Sequence, residues 1–557
     1  MNGKQVNTKK KHAFTLDCLA WVVLAAVFLM LVLLNIFYHD NWLDSDMAAE
    51  MIFSRLLAEE REFLASGSWF YSTEFRVLYT QLFMEPLFLI FGSWHVVRAI
   101  TNVLTYVLLL CSYFYMLKPL KVRRSTAVFT SALLLLPFSE TFVTHVQMGN
   151  TYMPHMIILF FGFGMFLRLT GQRFEMVLKK MSLAGCYLLL SLVCGLSGVR
   201  YMLALQGPLV LTALVYLLKS GEWSAYSREM TRVNRKKLFS EDRLQYLVFS
   251  VLGAAGAMAG YVLNVLVVAR KYDFQTYEAT NFISVYQGIF MERLQNTLGS
   301  LLMLFGYIPD KGFLSVRGLV TMTAFVMLGG IVFLLVRCSR ELHSDGNKRE
   351  EVSRRKFLLW FFVTAFALNT FVFVFTTSTI VPRYYLTVFM FAVPLLAVYY
   401  EEERLPLNRF LVTVGLCGCM LLATGKTVFS FISTDKNEDK RAVAAFLQEE
   451  GYDFGYATYW NANIITELTD GDVEVANLQD VEELSYFLWS TPKKYYGEGY
   501  HDGKTFLLLT QDEVREFSAS AAVREGRKVY EDGYYTVLEY DSTQALLSLR
   551  PEGSVTR

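Results

Sequence analysis

Charged residues are scarce in this chain of 557 residues. Asp, Glu, Lys and Arg together make up 18% of the sequence, whereas hydrophobic residues make up 54%. A soluble domain has about 25% charged residues, so the composition excludes a wholly soluble protein. The formal net charge is only +1, and no segment has the dense basic character that binds phosphate backbones. We therefore expect membrane lipid, and no nucleic acid, among the partners.

Disulfide frameworks and glycosylation sequons are also missing. The seven cysteines lie in or beside apolar runs, and none follows Cys419. This distribution does not indicate a disulfide-stabilised domain. Cys417 and Cys419 are two residues apart, so on a helix they would point to different faces rather than to one metal ion. The absence of any Asn-x-Ser/Thr sequon favours a bacterial or archaeal source.

Long apolar runs, in contrast, are abundant. A helix needs about 20 apolar residues to cross about 30 Å of hydrocarbon. The first run, 14–37, follows Lys4 and the lysines at 9–11, which indicates a retained span that begins in the cytoplasm. We predict an α-helical polytopic protein of the plasma membrane with about 11 transmembrane helices and a cytoplasmic N-terminus. Their expected ranges are 14–37, 95–117, 125–139, 151–168, 181–197, 203–219, 244–268, 315–337, 357–378, 386–400 and 410–432.

Two apolar segments, 78–91 and 294–307, are about 14 residues long and are expected to be half inserted. A full span at 78–91 would move the basic cluster 118–124 to the outer side, against the positive-inside rule. Residues 38–95 are therefore predicted to form the first outside loop. Within it, segment 47–63 has apolar residues at helical spacing and is expected to be an interfacial helix.

Apolar character ends near residue 435. We predict a transmembrane domain over 1–434 and a small extracytoplasmic α/β domain over 435–557. In this tail, we expect strands at 454–459, 473–478 and 505–510. Helices are expected at 440–449 and 512–522, and a hairpin is expected at 528–540.

An acidic corner, Asp44-Ser45-Asp46, directly follows the first span. A carboxylate at the boundary of water and lipid can act as a base toward a hydroxyl group, or it can hold a metal ion beside a leaving phosphate. A divalent cation such as Mg²⁺ or Mn²⁺ therefore stays open as a cofactor. The alternative is structural: Asp40, Asp44 and Asp46 would form a solvated turn and the N-cap of a helix.

A series of residues follows the first span in a characteristic order: an Asp, an Ala pair and an Arg nine positions after the Asp, then a short apolar helix, a Phe-Gly pair and an Arg entering the next span. These are Asp46, Ala48, Ala49, Arg55, the segment 86–91, Gly92 and Arg98. With this series, residues 42–124 resemble the N-terminal region of the GT-C superfamily of membrane glycosyltransferases, specifically the protein-mannosyltransferase-like enzymes.

The resemblance implies a polyprenyl-phosphate-linked sugar as donor and a glycan, lipid or protein as acceptor. It also implies an inverting displacement in which Asp46 deprotonates or orients the acceptor hydroxyl. The Asp-Glu pair that is common in the family is Asp46-Met47 here. The base is therefore left open between Asp46 and Asp44.

Basic residues near predicted span ends are candidates for binding the donor phosphate. Arg383 and Tyr384 precede Pro394, which resembles the Arg-Tyr followed by a Pro-containing span of GT-C enzymes, and Arg200 follows a glycine-rich segment. A guanidinium group can hold two phosphate oxygens at once. The alternative is an arginine whose charged end reaches the interface beside an aromatic belt.

Other polar side chains complete the candidate substrate-binding residues. Glu74 and Arg76 precede the short helix, and a local ion pair is their alternative interpretation. His145 and His155 lie in the predicted outside loop 139–155, without the tight spacing of a metal site. In the tail, segment 456–463 places aromatic residues beside amides, which suits glycan contact as well as simple packing.

Two other functions stay open on the sequence alone. A membrane transporter or a flippase for lipid-linked glycans would need charges at mid-membrane depth, and here the charges cluster at one face. A non-enzymatic envelope assembly protein would bind its ligand through the tail. Membrane glycosyl transfer is the leading hypothesis.

Overall fold

The computed structural model describes residues 2–149, 151–170, 177–218, 242–275, 280–286, 288–309, 314–344 and 350–551. Most of the predicted inside loop between spans 203–219 and 244–268 lies outside these residues. The chain divides into two compact units. The first, called the helical unit, comprises Met1–Leu33, Leu104–Asn264 and Glu278–Ser430. The second, called the sheet unit, comprises Leu34–Val103, Val265–Tyr277 and Phe431–Arg557.

The prediction of a helical polytopic membrane protein is confirmed. Among the described residues, eight helices are long and apolar enough to cross a membrane, or nine if the bent pair Glu140–Met148 and Met153–Leu169 is one span. The eight are Thr15–Tyr38, Trp94–Leu120, Leu178–Leu196, Leu244–Lys271, Thr323–Leu342, Glu350–Phe375, Pro382–Glu402 and Pro406–Glu449. The remaining predicted spans are helical but shorter, and they are Arg124–Leu134, Met153–Leu169 and Met202–Leu218.

Four helices and one strand are labelled for the N-terminal part: α1 (Asn2–Tyr38), α2 (Ser45–Glu60), β1 (Trp69–Tyr71), α3 (Gln81–Phe88) and α4 (Trp94–Leu117). The helical segments up to the tail, with their short 3₁₀ and π turns, are Asp40–Trp42, Lys118–Leu120, Arg124–Leu134, Glu140–Phe142, Val143–Met148, Met153–Leu169, Val177–Leu196, Met202–Gln206, Gly207–Leu218, Asp242–Leu263, Asn264–Val268, Ala269–Lys271, Ile289–Leu304, Val316–Thr321, Thr323–Ser344, Glu350–Phe375, Pro382–Tyr385, Leu386–Phe389, Ala392–Glu402, Pro406–Val412, Thr413–Cys417 and Gly418–Ser433. In the tail they are Glu438–Glu449, Tyr459–Leu468, Lys493–Tyr496, Gln511–Glu516, Ala521–Glu525 and Thr543–Leu547.

Two local predictions need correction. The predicted outside loop 139–155 is largely helical, because Ser139 caps a short helix that continues as the π turn Val143–Met148. The single helix predicted at 512–522 is split into Gln511–Glu516 and Ala521–Glu525. The first of these begins with a capping box between Thr510 and Glu513, which satisfies the free N–H groups of its first turn.

A six-stranded sheet forms the centre of the tail. Its strands are β3 (Phe454–Thr458), β4 (Glu474–Asp480), β5 (Ser485–Tyr486), β7 (Thr505–Thr510), β8 (Arg527–Glu531) and β9 (Tyr535–Tyr540). The strand order is β5-β4-β3-β7-β9-β8, in which β3 is parallel to β4 and β7 and the other pairs are antiparallel. The predicted strands and hairpin are confirmed.

Apolar residues cover both faces of this sheet. Along β7, Phe506 and Leu508 belong to one buried cluster while Leu507 and Leu509 belong to another. Successive strand side chains alternate between faces, and a central strand buried on both sides therefore has a continuous apolar sequence. Gly455 in β3 is required by this packing, because a Cβ there would meet the ring of Phe506 at 2.5 Å.

A second, smaller sheet lies within the same unit. Its order is β2-β1-β6, with β2 at Asp273–Phe274 and β6 at Thr491–Pro492. Strand β1 is parallel to β2 and antiparallel to β6. The predicted first outside loop is therefore hydrogen-bonded to the tail.

Candidate functional site

The acidic corner lies at the start of α2, in the sheet unit. Asp44 is the N-cap, and its carboxylate accepts a hydrogen bond of 2.9 Å from the backbone N–H of Met47. Asp46 lies in the first helical turn and is half-buried. Its Oδ1 accepts a hydrogen bond of 2.7 Å from the phenolic hydroxyl of Tyr459. One aspartate of the corner thus has a capping role, whereas the other turns its carboxylate toward the tail.

Glu50 lies one helical turn after Asp46, and its side chain is only 10% exposed. Its carboxylate accepts hydrogen bonds from Arg76 Nη1 at 2.7 Å, Tyr79 Oη at 2.5 Å and Thr80 Oγ1 at 3.2 Å. Burial raises the pKa of Glu50 to about 7, and the charge of Arg76 opposes that shift. Glu50 is not a candidate on the sequence alone, although its spacing of four residues from Asp46 places both on one face of a helix.

Arg76 provides the positive charge of this cluster. Its guanidinium stacks 4.5 Å from the ring centroid of Tyr79 and pairs with Glu50. Burial lowers the pKa of Arg76, but Tyr79 and the nearby acids, Glu50, Glu74 and Asp46, raise it further than burial lowers it. The Nε atom of Arg76 has no hydrogen-bond partner among the described residues. The guanidinium therefore keeps donor capacity beyond its pair with Glu50.

A buried ion pair lies behind the start of α2. Arg98 is fully buried, and its Nε and Nη2 each donate a hydrogen bond of 2.7 Å to the carboxylate of Glu467. The same Nη2 donates to the carbonyl oxygen of Met47 at 2.9 Å. In the sequence, Arg98 is indicated only by the resemblance to GT-C enzymes, and Glu467 is indicated by no motif. Together they fix the backbone immediately after Asp46.

The helix Tyr459–Leu468 is held against α2 by polar contacts. Ser45 Oγ donates to the carbonyl oxygen of Tyr459, and Asn463 Nδ2 donates to the carbonyl oxygen of Ser45 at 3.4 Å. The ring of Tyr459 is in turn packed against Phe487 at 5.3 Å between centroids. Segment 456–463, singled out for possible glycan contact, thus supplies the side chain that contacts Asp46.

A second cluster of candidate residues lies in the helical unit. The guanidinium of Arg200 is 5.3 Å from the ring centroid of Tyr152 and 5.9 Å from that of Tyr384. His155 and His145 lie on the same tyrosine, at 5.6 Å and 6.2 Å between ring centroids. Neither histidine belongs to a group of three metal-ligating side chains among the residues that are described. The structure therefore groups Arg200, His145 and His155 around Tyr152, and it places Tyr384 beside Arg200.

Arg383 is half-buried in the 3₁₀ turn Pro382–Tyr385, next to Tyr384 in the chain. The helical unit also contains an apolar cavity. Its lining includes Leu133, Phe138, Phe142, Phe305, Phe389 and Met420. An apolar cavity of this kind suits a hydrocarbon chain better than a polar solute.

Comparison of the fold identifies solved structures of similar architecture. ArnT from Cupriavidus metallidurans, in a crystal structure with bound undecaprenyl phosphate, aligns over 95% of this chain and 99% of its own, with a TM-score of 0.50 and 13% sequence identity. The same protein in its apo state aligns over 96% and 99%, with a TM-score of 0.50 and 12% identity.

Sequence comparison alone finds no such likeness. No family model matches the chain, and no curated protein matches it. The structural similarity extends over nearly the whole length of both chains, and it covers the membrane helices as well as the tail. This multi-pass membrane protein therefore shares the fold of the ArnT structures over nearly its whole length, in agreement with the polytopic fold that the resemblance of residues 42–124 implied.

Proposed function

We propose that the protein transfers a sugar from a polyprenyl-phosphate donor to an acceptor hydroxyl on the outer face of the membrane. The observation that carries this proposal is the cluster that Arg76 forms with Asp46 and Glu50 of α2, in a chain with an ArnT-like fold. A carboxylate beside a fixed guanidinium is the pairing that such a transfer needs, because the reaction moves one proton and releases one phosphate.

The proposed reaction is a single inverting displacement. The acceptor oxygen forms a bond to the anomeric carbon, and its proton passes to Asp46. The bond from that carbon to the phosphate oxygen breaks, and polyprenyl phosphate leaves with the electron pair. Arginine side chains stabilise the charge that develops on the leaving phosphate.

Among the carboxylates, Asp46 is better suited than Glu50 to take the proton. Glu50 already accepts three hydrogen bonds, from Arg76, Tyr79 and Thr80. We assign Glu50 as a positioning residue that orients the guanidinium of Arg76. Asp44 is assigned to the helix cap, because its carboxylate already accepts the N–H of Met47.

Within the sheet unit, Arg76 is assigned to phosphate binding, because its Nε has no hydrogen-bond partner among the described residues and lies beside the carboxylates. Glu74 of the same unit is assigned to substrate contact. Within the helical unit, Arg200 and Arg383 are assigned to phosphate binding, and Arg200 lies 5.3 Å and 5.9 Å from the ring centroids of Tyr152 and Tyr384. Tyr384, His145 and His155 of this unit are assigned to substrate contact. The apolar cavity of the helical unit is assigned to the prenyl chain.

The test uses the full-length protein in lipid vesicles, with undecaprenyl-phosphate sugars as donors and an envelope extract as the acceptor pool. Sugar transfer should be found with the wild-type protein and should fall at least about 100-fold in Asp46→Asn, since loss of a general base typically costs that much. Asp453→Asn is the matched control, because that carboxylate is 71% exposed. Transfer retained in Asp46→Asn would remove the central assignment.

Phosphate binding is measured separately with undecaprenyl phosphate alone. Arg76→Gln, Arg200→Gln and Arg383→Gln should each weaken its binding to the protein in detergent. Arg55→Gln should not, because the Arg55 side chain is 40% exposed and forms an ion pair with Glu59 one turn away. Equal binding by all four variants would contradict the assignment of the arginines. Uptake of a solute into vesicles that is unaffected by Asp46→Asn would instead favour a transporter.

A further inference from the structure

Two histidines and one aspartate from the two ends of the first outside loop meet in the sheet unit. His39 directly follows α1, Asp40 begins the 3₁₀ turn Asp40–Trp42, and His95 is the second residue of α4. Oδ1 of Asp40 lies 2.7 Å from Nδ1 of His39 and 3.3 Å from Nδ1 of His95. One potential ligand atom from each residue lies within 4.8 Å of the other two.

From this geometry we propose that His39, Asp40 and His95 bind one divalent transition-metal ion of the Zn²⁺ type. Zn²⁺ binds imidazole nitrogens and carboxylate oxygens at about 2.0–2.2 Å, so ligands in a tetrahedral arrangement are about 3.4 Å apart. The two observed separations need to change by less than about 1 Å to reach that spacing. Two imidazoles with one carboxylate select zinc and its neighbours over Mg²⁺ or Ca²⁺, which prefer oxygen ligands alone.

The three side chains differ in exposure, so that one ligand is fixed by burial while the other two are accessible from solvent. The side chain of His39 is 2% exposed, whereas those of Asp40 and His95 are 40% and 37% exposed. A metal ion from solvent can therefore reach Asp40 and His95 directly, and it binds His39 at the bottom of the group. Three protein ligands leave the fourth position to a water molecule.

Neighbouring groups hold the ligands without competing for the ion. Asn437 Nδ2 donates to the carbonyl oxygen of Asp40 at 2.8 Å, which fixes the backbone of this ligand. The nearby positive charge of Arg98, one turn after His95, is neutralised by its bidentate pair with Glu467. A divalent cation at the three ligands therefore does not face an unpaired guanidinium.

The role of this ion is structural. It would connect residues 40 and 95, and so fasten the two ends of the loop that carries Asp46, Glu50 and Arg76. An ion that binds the folded chain stabilises it in proportion to the logarithm of the free metal concentration. This inference does not depend on the proposed sugar transfer, because none of the three ligands is assigned to that reaction.

The experiment titrates ZnCl₂ into the full-length, chelator-treated protein in detergent. Bound zinc is counted by mass spectrometry of the metal, and thermal unfolding is followed in the same samples. We expect one equivalent of zinc and a rise in Tm with zinc concentration. Co²⁺ in place of Zn²⁺ should give the visible absorption bands of a low-symmetry site with nitrogen and oxygen ligands.

His95→Ala and Asp40→Asn should each lose the bound equivalent, the rise in Tm and the Co²⁺ bands. His501→Ala is the matched control and should keep all three, because His501 contacts the carbonyl oxygen of Lys504 in the tail. His95→Gln serves as a second variant of the same size if the alanine variant unfolds. The proposal is overturned if the wild type binds less than one equivalent, or if the variants of His95 and Asp40 bind as it does. The first result would leave a metal-free hydrogen-bonded triad centred on Asp40.

Discussion

The hydroxyl of Tyr459 donates a 2.7 Å hydrogen bond to the carboxylate of Asp46, although 413 positions separate the two residues in sequence. The acidic corner after the first span is therefore completed by the tail. Because Tyr459 is buried and its ring is packed against Phe487, the hydroxyl is held in one place. A fixed donor sets the orientation of the acceptor, which is what a positioning residue does for a base.

Removing that hydroxyl should slow sugar transfer without unfolding the protein. In Tyr459→Phe the carboxylate of Asp46 loses one donor, and we expect kcat to fall about 10-fold while Tm changes by a few degrees at most, since one such bond contributes about 1 kcal/mol. The measurement is initial rate against donor concentration. Tyr534→Phe, at an exposed tyrosine of the same unit, should leave the rate unchanged. A loss confined to KM would point to donor binding instead.

Substitution of Asp44 by serine tests which of the two aspartates is the base. Serine caps a helix nearly as well as aspartate does, and alanine does not. If Asp44 acts only as the N-cap, Asp44→Ser should keep both stability and transfer, whereas Asp44→Ala should lower the free energy of unfolding by about 1 kcal/mol. Transfer rates and thermal unfolding of both variants decide the point. A full loss of transfer in the stable serine variant would make Asp44 the base.

Glu50 makes stability depend on pH. Its folded pKa of about 7 is higher than the 4.5 of an ordinary glutamate, so the folded state binds this proton more tightly than the unfolded chain. The stability that Glu50 contributes is complete below about pH 4.5, and it is lost as pH rises through 7. Glu50→Gln cannot ionise. The free energy of unfolding of Glu50→Gln, measured relative to the wild type, should therefore rise by up to about 3 kcal/mol between pH 4.5 and 8. Thermal unfolding at a series of pH values tests this, and parallel curves for the two proteins would contradict it.

The pair of Arg98 and Glu467 should behave as a buried salt bridge. Arg98→Met leaves the Glu467 carboxylate buried without its partner, which typically costs 3–5 kcal/mol. The double variant Arg98→Met with Glu467→Leu removes both charges and should recover much of that loss. Thermal unfolding of the single and double variants measures the coupling. Additive losses would show that the two side chains do not stabilise each other.

Several features of the fold follow from local sequence. Apolar runs of membrane length predicted the helices from Thr15–Tyr38 to Pro406–Glu449, because hydrocarbon requires a continuous apolar helix. The alternating and apolar stretches of the tail predicted β3, β7 and the hairpin of β8 and β9. The same patterns overestimated the helix at 512–522, which ends early in a run of small and polar residues between two short helices. Local patterns report which segments are buried, but they contain little information about caps and breaks.

The candidate site, unlike the helices and strands, does not follow from local sequence alone. The positions of Asp44 and Asp46 after the first span, together with the resemblance to GT-C enzymes, predict a role for these carboxylates, and Arg76 is a separate candidate because it precedes the short helix. Sequence alone does not indicate Glu50, because a charged residue on an amphipathic helix is usually solvated. In the structure Glu50 is buried against Arg76, and only the packing of α2 against its neighbours creates that environment.

The amino-acid sequence by itself determined that this protein crosses the membrane many times and ends in an α/β tail, because burial in hydrocarbon and in a sheet imposes regular apolar periods. Tertiary structure alone decided which polar groups meet. Tyr459 and Glu467 reach Asp46 and Arg98 from the far end of the chain, and His95 reaches Asp40 across a loop of more than 50 residues. Such pairings have no periodicity, since they depend on how separate segments pack and not on the spacing within any one of them.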